Sequence, residues 1–380
     1  MEEEIPLSRP YLNGNELLYL QQVISERKMS GDGPFTKRCH QFFQERFGFE
    51  KPLLTSSCTD ALEMAALLSQ ISYGDEVILP SYTFPSTANA FLLRGARLVF
   101  ADSCKDHPNM DVSILESLMT KRTKAIVVVH YAGVAVDMDP IMELATRYKL
   151  YVVEDAAHAI DSYYKGVPLG RIGHCGAFSF HESKNISSGE GGLLAINRRD
   201  LFLRAEIVRE KGTNRTAFFR GEVAKYSWVD IGSSYLPSEL IAAVLLAQLE
   251  QLDSIQKKRV AIWQEYEKGL KSLAERAYFD LPVIPDYATN NAHLFYILCR
   301  SEKERENLSA FLKQEKILTF FHYQPLHSSS FYSDKHDERK LLYAELFSQR
   351  LLRLPLYCDL PLSVVRRIID RITLFFVPLQ

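Results

Sequence analysis

Ala125-Ile-Val-Val-Val-His130 and Leu150-Tyr-Val-Val-Glu-Asp155 are continuous apolar runs bounded by polar residues. A strand with one solvated face alternates apolar and polar residues. Runs without alternation suit strands covered on both faces, as in a parallel sheet flanked by helices. Met138 to Tyr148 lies between them and carries a helical pattern, which completes a βαβ unit. On either side the same grammar repeats. Asp75 to Pro80 and Ala96 to Ala101 read as strands upstream. Ala177 to Phe180 and Gly192 to Ile196 read as two more downstream, around a polar turn. The reading is an α/β architecture with a mainly parallel sheet.

From Pro237 the chain changes character. Leu240 to Leu249 is apolar nearly all round, predicting a buried helix with Pro237 in its first turn. Leu252, Ile255 and Ile262 then carry a narrower stripe among charges, predicting one long helix that leaves the core. The remainder mixes a strand at Leu294 to Leu298 with a charged helix at Glu302 to Glu315. A chain of 380 residues is expected to form two or three domains. The change of character places two: residues 1–250, large, and 251–380, smaller and α+β.

Composition narrows the function. Lys plus Arg number 45 against 47 Asp plus Glu, a formal net charge of −2. A nucleic-acid polymer as partner would call for a basic surplus, so none is expected. Any anionic ligand must be held by a local pocket. The six cysteines are scattered without a C-x-x-C pair, which fits a reducing compartment better than a disulfide framework or a zinc ribbon. The opening MEEEIPLSRP lacks an apolar signal-peptide core, and no uncharged apolar run approaches the ~18 residues of a membrane span. A cytoplasmic enzyme without a membrane partner is the expectation.

Three stretches carry candidate chemistry. No P-loop and no G-x-G-x-x-G is present. Thr55-Ser-Ser-Cys-Thr59-Asp60 does run into an apolar helix, Ala61 to Leu68, and free N–H groups there would attract an anion. The plainer reading is a capped helix with Asp60 and Glu63 as a capping box. Asp155 ends a buried strand and His158 follows three residues on; ligands gather beyond the carboxyl ends of such strands. Capping of the next helix is the plainer reading for Asp155, and His130, at its own strand end, is equally open. No compact metal spacing occurs, so no metal is expected. Phe178-Ser179-Phe180-His-Glu-Ser-Lys184 is followed by Gly189-Glu-Gly-Gly192, which confines a lysine in a turn among hydroxyls and glycines. Most lysines are solvated surface charges. A lysine at the mouth of a sheet, with an Asp and a phosphate cradle preceding it in the chain, is what a Schiff-base cofactor such as pyridoxal phosphate requires. Desolvation would lower its pKa towards working pH.

These pieces, in this order, resemble the DegT/StrS family of pyridoxal-phosphate sugar aminotransferases. The resemblance runs essentially end to end. It includes Ser30-Gly-Asp-Gly-Pro34, Pro80-Ser-Tyr-Thr-Phe84, Val153-Glu-Asp-Ala-Ala-His158, Ser179 to Lys184, Gly189 to Gly192 and Tyr323-Gln-Pro-Leu-His327. It implies the aspartate-aminotransferase fold (fold type I): a large, mainly parallel-sheet domain and a smaller α+β C-terminal domain. It also implies that Lys184 forms the Schiff base, that Asp155 pairs with the pyridine nitrogen, and that His158 lies by the ring hydroxyl. Phe84 would stack on the ring, while Thr59, the Asp60 backbone and Ser179 would bind the phosphate. Where the family often has G-x-N-x-R, this chain has Gly232-Ser-Ser234-Tyr-Leu236. Ser234 then takes the place of an Asn that reaches the neighbouring subunit's phosphate, which implies a homodimer with a shared site.

Longer strings narrow the implied reaction: His130-Tyr-Ala-Gly133, Lys211-Gly-Thr-Asn-Arg215 with Phe218-Phe-Arg-Gly221, and Asp230-Ile-Gly-Ser-Ser-Tyr235. They imply transfer of an amino group from L-glutamate to C4 of dTDP-4-dehydro-6-deoxy-D-glucose, giving dTDP-4-amino-4,6-dideoxy-D-galactose and 2-oxoglutarate. Arg215, Arg220 and His327 are candidates for holding the donor carboxylate or the sugar diphosphate, and for the two arginines a surface or interface role stands level with that. Amination at C3 or of another nucleotide sugar, and a non-catalytic regulator on the same scaffold, remain the alternatives.

Overall fold

The computed structural model describes residues 3–378. The first two and last two residues of the expected domains therefore lie outside the described residues. Seven strands form the main sheet: β1 (Lys51–Thr55), β2 (Glu76–Pro80), β3 (Arg97–Ala101), β4 (Thr123–Val129), β5 (Tyr151–Asp155), β6 (Cys175–Ser179) and β7 (Gly192–Ile196). Their order is β1-β7-β6-β5-β4-β2-β3. Pairing is parallel from β3 through β6, and only β7 runs antiparallel, between β6 and β1. The fold type is the one the resemblance implied, and the two apolar runs are adjacent strands paired Ala125 to Tyr151 through Val129 to Asp155.

Each central strand feeds two cores, which is why its sequence does not alternate. Ile126 and Val128 face one hydrophobic cluster, with Val23, Phe43 and Leu246. Ala125 and Val127 face the other, with Leu62, Leu68 and Phe91. Helices α1 (Asn15–Glu26), α2 (Pro34–Phe47) and, later in the chain, residues 239–249 cover the first face. Helices α3 (Cys58–Leu68) and α4 (Pro85–Leu92) cover the second.

Two helix starts differ from expectation. The segment 239–249 is capped by Ser238, whose hydroxyl accepts from the Ile241 N–H, so Pro237 lies outside the helix. The chain then turns at Glu250 and Gln251 before a separate 24-residue helix, Leu252–Glu275. Helix α3 begins three residues earlier than its apolar run. Ser57 caps it by accepting from Asp60 N–H, so no Asp60–Glu63 box forms; Glu63 instead accepts from the Tyr235 hydroxyl at 3.2 Å. The small hydroxyl fits the tight entry from β1, whereas Asp60 already sits within the first turn.

A second, antiparallel sheet joins β8 (Phe279–Asp280), β9 (Phe295–Cys299) and β10 (Leu351–Leu354). It packs with the 252–275 helix and helix Leu362–Phe376 around a separate cluster that includes Tyr266, Phe295 and Ile368. The N-terminal Ile5 joins this cluster and pairs with Ile317. Strand β10 alternates: Leu352 and Leu354 enter its own cluster, while Leu351 enters the main sheet's. Arg353 therefore projects on the side facing the main sheet. Among the described residues no helix is long and apolar enough to cross a membrane.

Candidate active site

Strands β2, β5 and β6 end on one side of the sheet, and a cavity of about 740 Å³ opens there. The start of α3 supplies Ser57, Cys58 and Thr59, the turn after β2 supplies Phe84, the first turn of α4 supplies Ser86, and β5 supplies Asp155 and then His158. Ser179 and Lys184 follow from β6, while His293, His322, Tyr323 and Arg353 close the cavity from the C-terminal part.

At the α3 start, the first N–H groups of a helix have no acceptor one turn back. Asp60 N–H is taken by Ser57 Oγ at 3.0 Å, which leaves those of Cys58 and Thr59 facing the cavity's end. The Thr59 hydroxyl lies 2.8 Å from the Ser86 hydroxyl, adding two hydroxyls to the same spot. Gly192 makes this approach of sheet and helix possible: a Cβ there would sit 2.3 Å from the Ser57 carbonyl. An anion of phosphate size would meet here a helix N-terminus and hydroxyl donors.

Asp155 is buried, and both oxygens are held. Oδ2 accepts from the Thr87 hydroxyl at 2.7 Å and Oδ1 from the Ala157 N–H at 3.1 Å. Burial raises its pKa, opposed by the bond from Thr87 and by the charge of Lys184. An oriented carboxylate in such surroundings favours a ligand that brings a cationic N–H. Burial also lowers the Lys184 amine to about 8. Near neutral pH a usable share of it is uncharged, and hence nucleophilic and basic.

His158 is held at Nδ1 by the Ala132 N–H at 3.3 Å, and its Nε2 lies 3.4 Å from the Tyr323 hydroxyl. Its ring stacks on His293, with centroids 4.2 Å apart, and burial keeps both histidines well below their usual pKa. Phe84 remains 57% exposed on the cavity wall, a free face for a planar ring. His130 is not a cavity residue. It lies 3.0 Å from Glu154, which also accepts from the Gly170 and Ile172 N–H groups at 2.7 and 2.8 Å.

The structure thus brings together Lys184, Asp155, His158, Phe84, Thr59 and Ser179, with Asp60 just behind them. Four other candidates lie outside the cavity. Ser234 is exposed and bridges to Glu210. Arg215 is exposed, over the Phe219 ring and 3.8 Å from Glu210. Arg220 is paired with Glu206 and Glu222 at 2.8 and 2.6 Å. His327 is buried between Ser81, at 2.7 Å, and Glu345, at 3.3 Å. Within Tyr323-Gln-Pro-Leu-His327 it is Tyr323 and Gln324 that line the cavity. Arg353 was missed, although a lone charge in Leu351-Leu-Arg-Leu354 signals a strand residue facing something other than core. Among the described residues, no three His, Cys, Asp or Glu side chains are grouped to hold a metal ion.

Set against known proteins, residues 10–373 match the DegT/DnrJ/EryC1/StrS aminotransferase family. Solved structures agree over the whole length. TlmJ, an aminotransferase from Streptoalloteichus hindustanus, is 28% identical across 100% of both chains, with a TM-score of 0.91. S. venezuelae DesV is 29% identical across 100% of both, at 0.90. Helicobacter pylori PseC, an aminotransferase involved in the biosynthesis of pseudoaminic acid, is 27% identical over 98% of this chain and 99% of its own, at 0.89. The cofactor of the matched family is pyridoxal phosphate. The cavity fits that group chemically: a lysine amine lowered by burial, an oriented carboxylate, an open aromatic face and a phosphate-sized cluster of donors. The chain belongs to this aminotransferase family.

Proposed function

Starting from that membership, we propose that the protein moves the amino group of L-glutamate to C4 of dTDP-4-dehydro-6-deoxy-D-glucose. The products are dTDP-4-amino-4,6-dideoxy-D-galactose and 2-oxoglutarate. The observation that carries the catalytic part is a lysine amine, lowered to about 8, sharing one cavity with a buried, fixed carboxylate. The sugar-specific part rests on the long strings around His130, Lys211 to Gly221 and Asp230 to Tyr235, and PseC, involved in the biosynthesis of pseudoaminic acid, supports a substrate of sugar type.

Bound pyridoxal phosphate supplies the carbonyl that takes up the amino group and the ring that accepts electrons. Lys184 would hold the cofactor through its amine, and its Nζ would take the proton from the donor α-carbon as a general base. Asp155 keeps the proton on the pyridine nitrogen, His158 orients the ring hydroxyl, and Phe84 covers one ring face. Thr59, Ser179 and the backbone around Asp60 hold the phosphate. Ser234 is assigned to the neighbouring subunit's phosphate, which makes the enzyme a homodimer; its exposed position outside its own cavity supports this. Arg215 and Arg220, on the same exposed segment, are assigned to the partner's substrate end, and His327 to positioning the Tyr323 segment. We divide the chain into a cofactor-binding part, 1–250, and a smaller part, 251–380; the second sheet's own cluster around Tyr266, Phe295 and Ile368 supports the division, while Leu294, Tyr296 and Leu351 pack into the main sheet's core. A cytoplasmic location is supported by six unpaired cysteines.

The test is spectroscopic. Protein loaded with pyridoxal phosphate is yellow, and glutamate should bleach it. Adding dTDP-4-dehydro-6-deoxyglucose should restore the colour, and NMR of the product should show an axial amine at C4. Amination at C3, or no recovery with this sugar, rejects the substrate assignment.

A further inference from the structure

His293 lies in the cavity wall, buried, with its face, its edge and its main chain all fixed. Its imidazole stacks on that of His158, centroids 4.2 Å apart and planes 24° apart. Its Nδ1 lies 2.7 Å from Asn185 Oδ1. The other end of Asn185 decides which of these two donates. Asn185 Nδ2 donates to Gln256 Oε1 and to the Asn291 carbonyl, both at 2.9 Å, and a backbone carbonyl can only accept. The amide oxygen therefore faces His293, and Nδ1 carries the hydrogen. The His293 N–H donates to Asn291 Oδ1 at 3.0 Å, and its carbonyl accepts from Arg259 at 2.7 Å.

The same reasoning fixes His158. The Ala132 N–H can only donate, so Nδ1 of His158 accepts. Burial holds the ring neutral, which puts its one hydrogen on Nε2, beside the Tyr323 hydroxyl. Asn291 Nδ2 meanwhile donates to the carbonyls of His158 and Ile160 at 2.7 and 2.8 Å. One buried cluster thus runs from Asn185, the residue after Lys184, through His293 to the face and the main chain of His158. Resting on the aminotransferase reading above, we infer that His293 is a positioning residue: its ring, held by Asn185, fixes the plane of His158 and so the direction of the Nε2–H offered to the cofactor's ring hydroxyl. An imidazole N–H lies in the plane of its ring, so a tilt turns the donor away, and a hydrogen bond weakens steeply below about 120°. Space filling alone would be served by an apolar side chain, which is less costly to bury than an imidazole.

The test is a double-mutant cycle on cofactor affinity. Pyridoxal phosphate would be titrated by absorbance into cofactor-free wild type, His293→Leu, His158→Ala and the double variant. His293→Leu should weaken binding about five- to tenfold, the loss of one well-aimed hydrogen bond. Once His158 is Ala, the same change should cost less than about twofold, because nothing is left to aim. The absorption maximum of the bound cofactor should move in His293→Leu in the same direction as in His158→Ala. His293→Phe keeps a planar ring against His158 and should bind nearer to wild type than His293→Leu. Equal losses in both backgrounds, no loss in either, or a Phe variant no better than Leu would each overturn the inference. Should His293→Leu fail to fold, Asn185→Ser, which releases the ring without replacing it, goes through the same cycle under the same criterion. A wild type that binds pyridoxal phosphate but is never bleached by glutamate overturns the proposed function instead, and leaves the cycle to be read on its own.

Discussion

At the scale of single residues, Lys184 and Asp155 draw opposite consequences from one cause. Burial disfavours both charged forms, lowering the lysine and raising the aspartate. For Lys184 the sign is direct: only the uncharged amine attacks a carbonyl, and its share grows as pH rises through about 8. The rate at which cofactor-free protein captures pyridoxal phosphate should climb about tenfold per pH unit below that point and level off above it. A rate still climbing at pH 10, measured by stopped-flow absorbance, would mean an ordinary solvated lysine. Lys184→Ala should abolish turnover. Asp155→Asn keeps the shape but loses the charge proposed to hold the ring proton, and should slow glutamate bleaching by about 10²–10³-fold, read in single-turnover absorbance.

At the scale of elements, the anion cluster depends on how closely β7 approaches the start of α3. Gly192 pairs with Thr55 and Ser179, so it lies between the two strands that lead into the cavity. A methyl group at this position would meet the Ser57 and Cys58 backbone at 2.3–2.5 Å, and backbone cannot rotate aside. Gly192→Ala should therefore cost about 1–3 kcal/mol and weaken pyridoxal phosphate binding, both visible in melting curves with and without cofactor. A variant that melts normally and binds normally would show that the helix start can shift freely. Helix α2 offers a separate check. Its first turn is tied to Glu239, which is fully buried and accepts from the Gly33 and Phe35 N–H groups at 3.0 and 2.8 Å and from the Thr36 hydroxyl. Glu239→Gln puts an amide donor against these donors and should lower stability by about 2–3 kcal/mol, read as the midpoint of denaturant unfolding.

At the scale of the whole molecule, the segment around residues 211–235 leaves large side chains in solvent: Phe219, Tyr226, Trp228 and Val229, with Trp228 80% exposed. Contiguous apolar exposure of this kind marks an interaction surface, and Ser234 lies on the same stretch. If the proposed homodimer forms here, light scattering should give twice the mass of one chain. Trp228→Asp should shift that value towards one chain and weaken pyridoxal phosphate binding at the same time. Loss of the dimer with cofactor affinity intact would remove Ser234 from the site.

Six of the main sheet's seven strands were legible to within about two residues, because burial on both faces removes alternation, a signal that survives without any contact information; β1, Lys51–Thr55, was not among them. Lys184, Asp155 and His158 were legible because each follows closely on a buried strand in the chain. Arg353 and Tyr323 were not, since they reach the cavity from sequence 130 or more residues beyond Lys184, and only packing of the second sheet brings them there. His327, Arg215 and Arg220 were chosen by residue type within matching strings, and type does not specify which way a side chain turns. The sequence by itself determined the parallel core and the lysine–aspartate pair, because hydrophobic periodicity and strand-end position are local properties. The tertiary structure alone decided that Ser86 joins the α3 start and that Arg353 faces the cavity, because partners and solvent access are properties of the assembled chain.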